Sequence, residues 1–227
     1  MDAHEWSPPA VRRAAGARSA EQLVFVREFL RAPLRTASVV PSSAALAERM
    51  VAPLLLRSPA QRAPVVLELG PGTGAFTAAL HAAVPGMRYL GVEANPVMAD
   101  HLAARFPGID LVRGPASGFP GALAQRGLRT VDLVVSGLPW QAFAGPAGAD
   151  LVPAIAAHLA PAGAHTQFTY SWSRWAPPGR RQHRALRRAF GRVDVSPTVW
   201  PNLPPAVVYT ATRPRPGGDH AAATSSC

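Results

Sequence analysis

"PVVLELGPGTGAFTAALHAAV", Pro64 to Val84, sets a short apolar run against a cluster of glycines and then against a stretch rich in Ala and Leu. The run at 64–69 predicts a buried strand, and the segment from Gly72 predicts a helix. Between them Gly70, Gly72 and Gly74 let the backbone bend sharply and bring a polar or anionic ligand against the helix N-terminus. Strand, glycine loop and helix in that order open a βαβ unit, and the chain beyond repeats the alternation.

Strands are predicted at "RYLGVE" (88–93), "IDLVRG", "VDLVVSG" (131–137), "AHTQFTYS", "RVDVSP" and "AVVYTAT". Helices are predicted at "NPVMADHLAARF", "GALAQR", "ADLVPAIAAHL" and "RRQHRALRRAF", the last very basic. This alternation predicts an α/β fold, a doubly wound, mostly parallel, Rossmann-like sheet of seven strands that binds ligands at the carboxyl ends of its strands. Upstream, "EQLVFVREFLRAP" places Phe25, Val26, Phe29 and Leu30 on one side of an amphipathic helix ending at Pro33. "PSSAALAERM" predicts a second helix, capped by Ser42 or Ser43 and running through Met50 or a little beyond. The domain is expected over 20–212, with 20–57 as a lid or membrane contact. The first 19 residues and the tail from Arg213 carry no periodicity and are expected to be disordered.

Composition narrows the function classes. No window of 18 apolar residues is free of charge, so no spanning helix is expected, and "MDAHEWSPPAVRR" does not read as a secretory signal. The chain is expected in the cytoplasm or peripherally on the inner membrane face. A lone cysteine, Cys227, supports neither an internal disulfide nor a metal site, and no metal is expected. The 23 basic residues are all Arg, and the net charge of +10 suits an anionic surface, either lipid headgroups or nucleic acid, as well as plain solubility.

The spacing of Gly70, Gly72 and Ala75 also fits a dinucleotide loop, and two acids tilt the choice away from it. Glu68 precedes the first glycine, where it would repel a pyrophosphate and hold an ammonium. Glu93 closes the second predicted strand, 19 residues after Gly74, in position to accept both hydroxyls of a ribose. One acid for each end of the ligand points to S-adenosylmethionine.

"VLELGPGTGAFT" and "GVEANP" resemble the first two motifs of the class I S-adenosylmethionine-dependent methyltransferases. "FLRAPLRTASVVPSS", "LVVSGLPW", "QFTYSW" and "VWPNLPPAVVY" are similar to segments of the bacterial phospholipid N-methyltransferases, which methylate phosphatidylethanolamine toward phosphatidylcholine. The resemblance implies that Glu68, Gly70, Gly72, Thr73 and Gly74 surround the methionine end of the cofactor, with Ser42, Ser43 and Ser136 near it. It implies that Glu93 and Ala94 meet the ribose. Many relatives carry an acid for the adenine amino group where this chain has Pro115, so adenine would rest on the backbone of Pro115 and Ala116.

On the acceptor side the resemblance implies Gly137, Leu138, Trp140, Tyr170, Trp200 and Asn202, with Phe25 and Phe29 facing a lipid. Relatives that methylate nucleobases place Asn or Asp where this chain has Gly137. That leaves the Gly137 or Leu138 carbonyl, the Ser136 hydroxyl and the Trp140 face to hold an amine. Trp140, Tyr170 and Trp200 are expected as aromatic walls for a cationic product, and Tyr170 as a group that accepts or relays a proton. The expected function is N-methylation of a phospholipid amine. Alternatives are a methyltransferase of soluble metabolites acting at N, O or C, an rRNA adenine dimethyltransferase, which the missing Asn disfavours, and a non-catalytic cofactor-binding protein.

Overall fold

The computed structural model describes residues 42–56, 62–140 and 150–215. In chain order these form α1 (Ala44–Leu55), β1 (Val65–Leu69), α2 (Ala75–Ala83), β2 (Arg88–Glu93), α3 (Pro96–Arg105), β3 (Leu111–Arg113), α4 (Phe119–Gln125), β4 (Val131–Ser136), α5 (Leu151–His158), β5 (Leu159–Tyr170), α6 (Pro177–Ala189), β6 (Phe190–Val195) and β7 (Ala206–Pro214). Short 3-10 turns precede α4 at Ala116–Gly118 and α6 at Ser173–Trp175.

All seven strands join one sheet in the order β3-β2-β1-β4-β5-β7-β6. β1 to β5 run parallel, while β7 pairs antiparallel with both β5 and β6. β1 and β4 are apolar along nearly their whole length because helices cover both of their faces, and every residue of each is buried. One core cluster, on the face of α4, α5 and α6, gathers Leu67, Leu69, Phe119, Val134, Ile155, Leu186 and Phe190. The other joins Leu46, Met50 and Leu54 of α1 with Phe76 and Leu80 of α2 and with Val66, Val135 and Val208 of the sheet. The order reverses between β1 and β4, and the crevice at their carboxyl ends is where such sheets place a ligand.

Local signals account for the helix starts. Ser43 caps α1 by accepting from the Leu46 N–H at 3.2 Å, and Asn95 caps α3 through Val97 and Met98, with Pro96 at the first turn. At the amino end of the sheet the buried Asp132 of β4 accepts from the Val65 N–H (2.8 Å) and from both ends of the Arg62 guanidinium, tying β1 to β4. Several boundaries differ from the sequence expectation, and α6 and β6 start three and two residues early, at Pro177 and Phe190. α1 continues to Leu55 with Pro53 inside it. β5 starts at Leu159, because Leu159 pairs with Val131 before the ladder resumes at Ala164 opposite Leu133; Pro161, which cannot donate to a ladder, lies in the intervening excursion. β7 runs to Pro214, two residues into the expected tail, and the Arg215 N–H donates to the Ala189 carbonyl. The amphipathic helix expected at 21–31, with Phe25 and Phe29, lies outside the described residues.

Candidate active site

The loop after β1 is held from several directions. Gly70, Gly72 and Gly74 all have positive φ (68°, 55° and 81°), which a side chain would strain. The Gly70 N–H donates to the Val92 carbonyl, the Gly72 N–H to Glu93 Oε2 (3.0 Å) and the Gly74 N–H to the Pro71 carbonyl. The Thr73 carbonyl accepts from Arg105 at 2.6 Å. At Gly72 a side chain would meet open space, while at Gly74 it would strike Leu102 and Phe106, so the loop is packed below and open at its crest.

Glu68 lies directly beneath the loop and is fully buried. Its Oε2 accepts from the Thr77 hydroxyl and the Tyr89 hydroxyl, each at 2.7 Å, while its Oε1 has no partner among the described residues. Burial pushes its carboxyl up to about 7, against the two hydroxyl bonds that favour ionisation. Neither partner was foreseen, though one sign was in the sequence: Gly91 sits next but one to Tyr89, and a side chain there would meet the phenol oxygen at 2.8 Å. The glycine leaves the slot through which Tyr89 crosses to the acid.

Glu93 at the end of β2 is buried, and besides Gly72 it accepts from the Asn95 N–H at 2.9 Å. It therefore fastens the glycine loop to the loop after β2, and each oxygen keeps a second lone pair for a ribose hydroxyl. Ala94 beside it is exposed. Pro115 is exposed and opens the 3-10 turn, where its carbonyl accepts from the Gly118 N–H. Ala116 is buried and contributes its N–H at a position with no intrahelical acceptor.

The turn after β4 departs from the expectation of an aromatic wall. Trp140 is only 3% exposed; its ring packs edge-on to His165 and its indole N–H donates to Ser136 Oγ at 2.9 Å. The backbone N–H of Trp140 takes the Leu138 carbonyl, also at 2.9 Å. Ser136 is itself fully buried, with the Leu138 N–H directed at its hydroxyl from 3.4 Å. Trp140 and Ser136 thus brace the turn from within the core. The Gly137 N–H donates to the Leu69 carbonyl, and a side chain on Gly137 would run into the Gly70 carbonyl oxygen. No described residue donates to the carbonyl of Gly137.

Tyr170, half-buried at the end of β5, stacks on Trp172 with ring centroids 6.4 Å apart and meets Phe168 edge-on. It packs with the core on the α1 and α2 face, whereas Trp140 belongs to the opposite face, so the two do not line one wall. Burial raises the Tyr170 phenol above its ordinary value and keeps it protonated. Trp200 stands exposed in the loop before β7. Asn202 in the same loop is buried, and both ends of its amide are taken: Oδ1 accepts from the Ser43 N–H (3.0 Å) and Nδ2 donates to the Pro204 carbonyl (2.8 Å). It ties that loop to the start of α1. Ser43 spends one lone pair as the helix cap, and Ser42 beside it is half-buried.

His165 was also unforeseen. It lies behind the turn after β4 between Trp140 and Phe190, its ring nitrogens 3.2 Å from the Val134 carbonyl and 3.2 Å from Gln167 Oε1, and burial pushes it down to about 4. It is a neutral core residue at ordinary pH. Among the described residues no group of three or more His, Cys, Asp or Glu could hold a metal ion, and no helix is long and apolar enough to cross a membrane.

An orphaned buried carboxylate oxygen under a glycine loop, with a second buried acid at the next strand end, suits a ligand that is cationic at one end and carries a diol at the other. A family profile described as a methyltransferase domain matches residues 66–163. An ornithine lipid N-methyltransferase of Singulisphaera acidiphila is 34% identical over 192 residues, covering 82% of this chain and 93% of that protein. Among solved structures, the CurJ carbon methyltransferase superposes with a TM-score of 0.59 at 15% identity, over 76% of this chain and 54% of that one, so this chain spans about half its length. Human methyltransferase-like protein 13 in complex with SAH gives 0.55 at 17%, over 78% and 86%. These two show the fold. With the seven-stranded order in place and a relative covered nearly end to end, this chain belongs to the class I S-adenosylmethionine-dependent methyltransferases.

Proposed function

We propose that the acceptor is a primary amine on a membrane lipid, such as an ornithine lipid or phosphatidylethanolamine. The observation that carries this reading is the turn at Gly137. No side chain fits there against the Gly70 carbonyl, so position 137 offers an acceptor only its backbone carbonyl. A carbonyl accepts an amine N–H and turns the nitrogen lone pair outward, but it cannot make the paired contacts that an amide makes with a nucleobase edge. The lipid headgroup named for the Singulisphaera acidiphila relative supports the same class of acceptor.

S-adenosylmethionine supplies a methyl group on a positively charged sulfur. We assign its ammonium to Glu68 Oε1, its ribose to Glu93 and its adenine to the Ala116 N–H and the apolar rim around it. With Tyr170 held protonated and His165 enclosed and neutral, neither serves as a base, so the amine enters uncharged and its proton leaves to water. The chain then acts chiefly by aligning the nitrogen and excluding solvent. The test offers the protein S-adenosylmethionine with detergent-dispersed ornithine lipid, with phosphatidylethanolamine and with soluble primary amines in parallel, and reads products by mass spectrometry. Methylated lipid is expected; methylation confined to the soluble amines would end the lipid reading.

A further inference from the structure

Exposed large apolar side chains are few among the described residues, and four of them gather at one place. Trp172 (65% exposed) and Trp175 (66%) follow β5, while Trp200 (72%) and Leu203 (64%) sit in the loop before β7. The two segments are sewn together: the Ser171 N–H donates to the Pro205 carbonyl, Tyr170 pairs with Ala206, and Val199 bridges to that same Ala206. Because β5 runs parallel to β1 and β4, this patch stands at the carboxyl edge of the sheet, the edge that carries the glycine loop and the Gly137 turn.

Charge marks what it meets. The Arg174 guanidinium lies over the Trp175 ring, 4.5 Å from its centroid. α6 begins beside it and buries Gly179, Gln182 and Leu186 while exposing Arg180, Arg181, Arg184, Arg187 and Arg188, a basic face opposite its packed stripe. From 171 to 193 the sequence carries seven Arg and no Asp or Glu. Exposed indoles beside guanidinium groups that have no carboxylate partner among the described residues suit the headgroup layer, where an amphipathic ring finds both an apolar and a wet side and anionic lipid attracts the arginines. A single-stranded nucleic acid also stacks on aromatics, but Leu203 beside Trp200 gives it nothing to stack on or bond.

We propose that Trp172, Trp175, Trp200 and Leu203, flanked by Arg174, Arg180 and Arg181, form the surface by which this chain seats the carboxyl edge of its sheet on an anionic bilayer. An aminolipid headgroup then reaches the Gly137 turn without leaving the membrane. The choice of occupant rests on the aminolipid reading above.

The full chain is sedimented with vesicles of phosphatidylcholine alone and of equal parts phosphatidylcholine and phosphatidylglycerol, with brominated acyl chains to quench any indole that enters. Binding to the mixed vesicles, with quenching, is expected. The double variant Arg180→Glu/Arg181→Glu should bind at least roughly 25-fold more weakly, at roughly fivefold per arginine. Trp175→Ser/Trp200→Ser should lose most of the quenching and most of the binding. Both should keep the parent's S-adenosylmethionine affinity by calorimetry, which shows them folded. A parent indifferent to anionic vesicles overturns the proposal, as does a tryptophan variant that binds like the parent, or a chain that retains a single-stranded oligonucleotide and ignores vesicles. Vesicle binding without lipid methylation upholds the surface and removes the aminolipid reading. Methylation of detergent-dispersed lipid without vesicle binding does the reverse.

Discussion

Replacing Glu68 by Gln probes the site at its base, and the expected result is an unequal response to pH. Burial pushes Glu68 up to about 7 from an ordinary 4.5 and pushes His165 down to about 4 from an ordinary 6.5. The signs oppose. Between 4.5 and about 7 the folded chain holds a proton on Glu68 that the unfolded chain has released, so this contribution to stability falls as pH rises through the window. Between 6.5 and about 4 the unfolded chain takes up a proton on its histidine that the fold refuses, so the second contribution falls as pH drops. Going from about pH 8 to about pH 5, at about 1.36 kcal/mol per pKa unit, Glu68 adds roughly 2–3 kcal/mol and His165 removes roughly 2. These two contributions nearly cancel in the parent and are unmasked in the variant. A buried amide left without a partner costs about 1–3 kcal/mol, but at every pH alike. The stability of Glu68→Gln relative to the parent should therefore drop by about 2–3 kcal/mol over the interval, or roughly 5–10 °C in Tm for a chain of this size. Urea unfolding at both pH values reads it, and an offset that stays constant would refute the reasoning. The proposed ammonium contact adds a second readout. A bound cation draws the carboxyl back down, so the parent should release protons on binding S-adenosylmethionine near neutrality, and the variant should not.

Three further outcomes follow from the same geometry. Gly137→Ala forces its methyl against the Gly70 carbonyl and should cost about 1–3 kcal/mol of stability, with at least a tenfold rise in the S-adenosylmethionine Kd as the glycine loop gives way; calorimetry that finds both unchanged would contradict the close approach. Trp140→Phe removes little more than the indole bond to Ser136 and should cost about 1 kcal/mol, whereas Trp140→Ala opens a core cavity and should cost about 3–5. A Phe variant of parental stability that had lost turnover would instead make the ring a substrate wall. Asn202→Ala strands the Ser43 N–H and the Pro204 carbonyl and should lower stability by about 1–3 kcal/mol in equilibrium unfolding while leaving kcat near the parent value; a stable variant without turnover would return Asn202 to the acceptor side.

What the sequence made legible is what short-range pattern encodes. β2 falls on 88–93 as expected, and the strand, glycine loop and helix around Gly70 follow from an apolar run broken by residues that tolerate positive φ. Which polar atoms are already engaged was beyond it. Asn202 and Ser43 lie 159 residues apart, and only the folded sheet brings the loop before β7 onto the start of α1. Thr77 and Tyr89 reach Glu68 from two other elements, so the acid reads in sequence as ligand-facing when one of its oxygens is spent internally. Strand parity decided the aromatics. Tyr170 shares the α1 and α2 face with Phe168 two residues before it, and Trp140 follows Ser136 onto the other, an assignment that needs the register between β4 and β5.

The contact between Gly70 and Gly137 couples two parts that are usually discussed separately. A side chain at 137 must displace a peptide of the cofactor loop, and a side chain at 70 meets Leu138 from the other direction. If the Gly137 turn holds the acceptor as proposed, acceptor preference is not a property that single substitutions there can explore. A library randomised at 137 alone should return glycine, while one that varies 69–72 together with 137 gives the backbone room to retreat before a new group arrives. The two loops change as one unit, and an amide-bearing turn would have to be acquired along with a rebuilt cofactor grip.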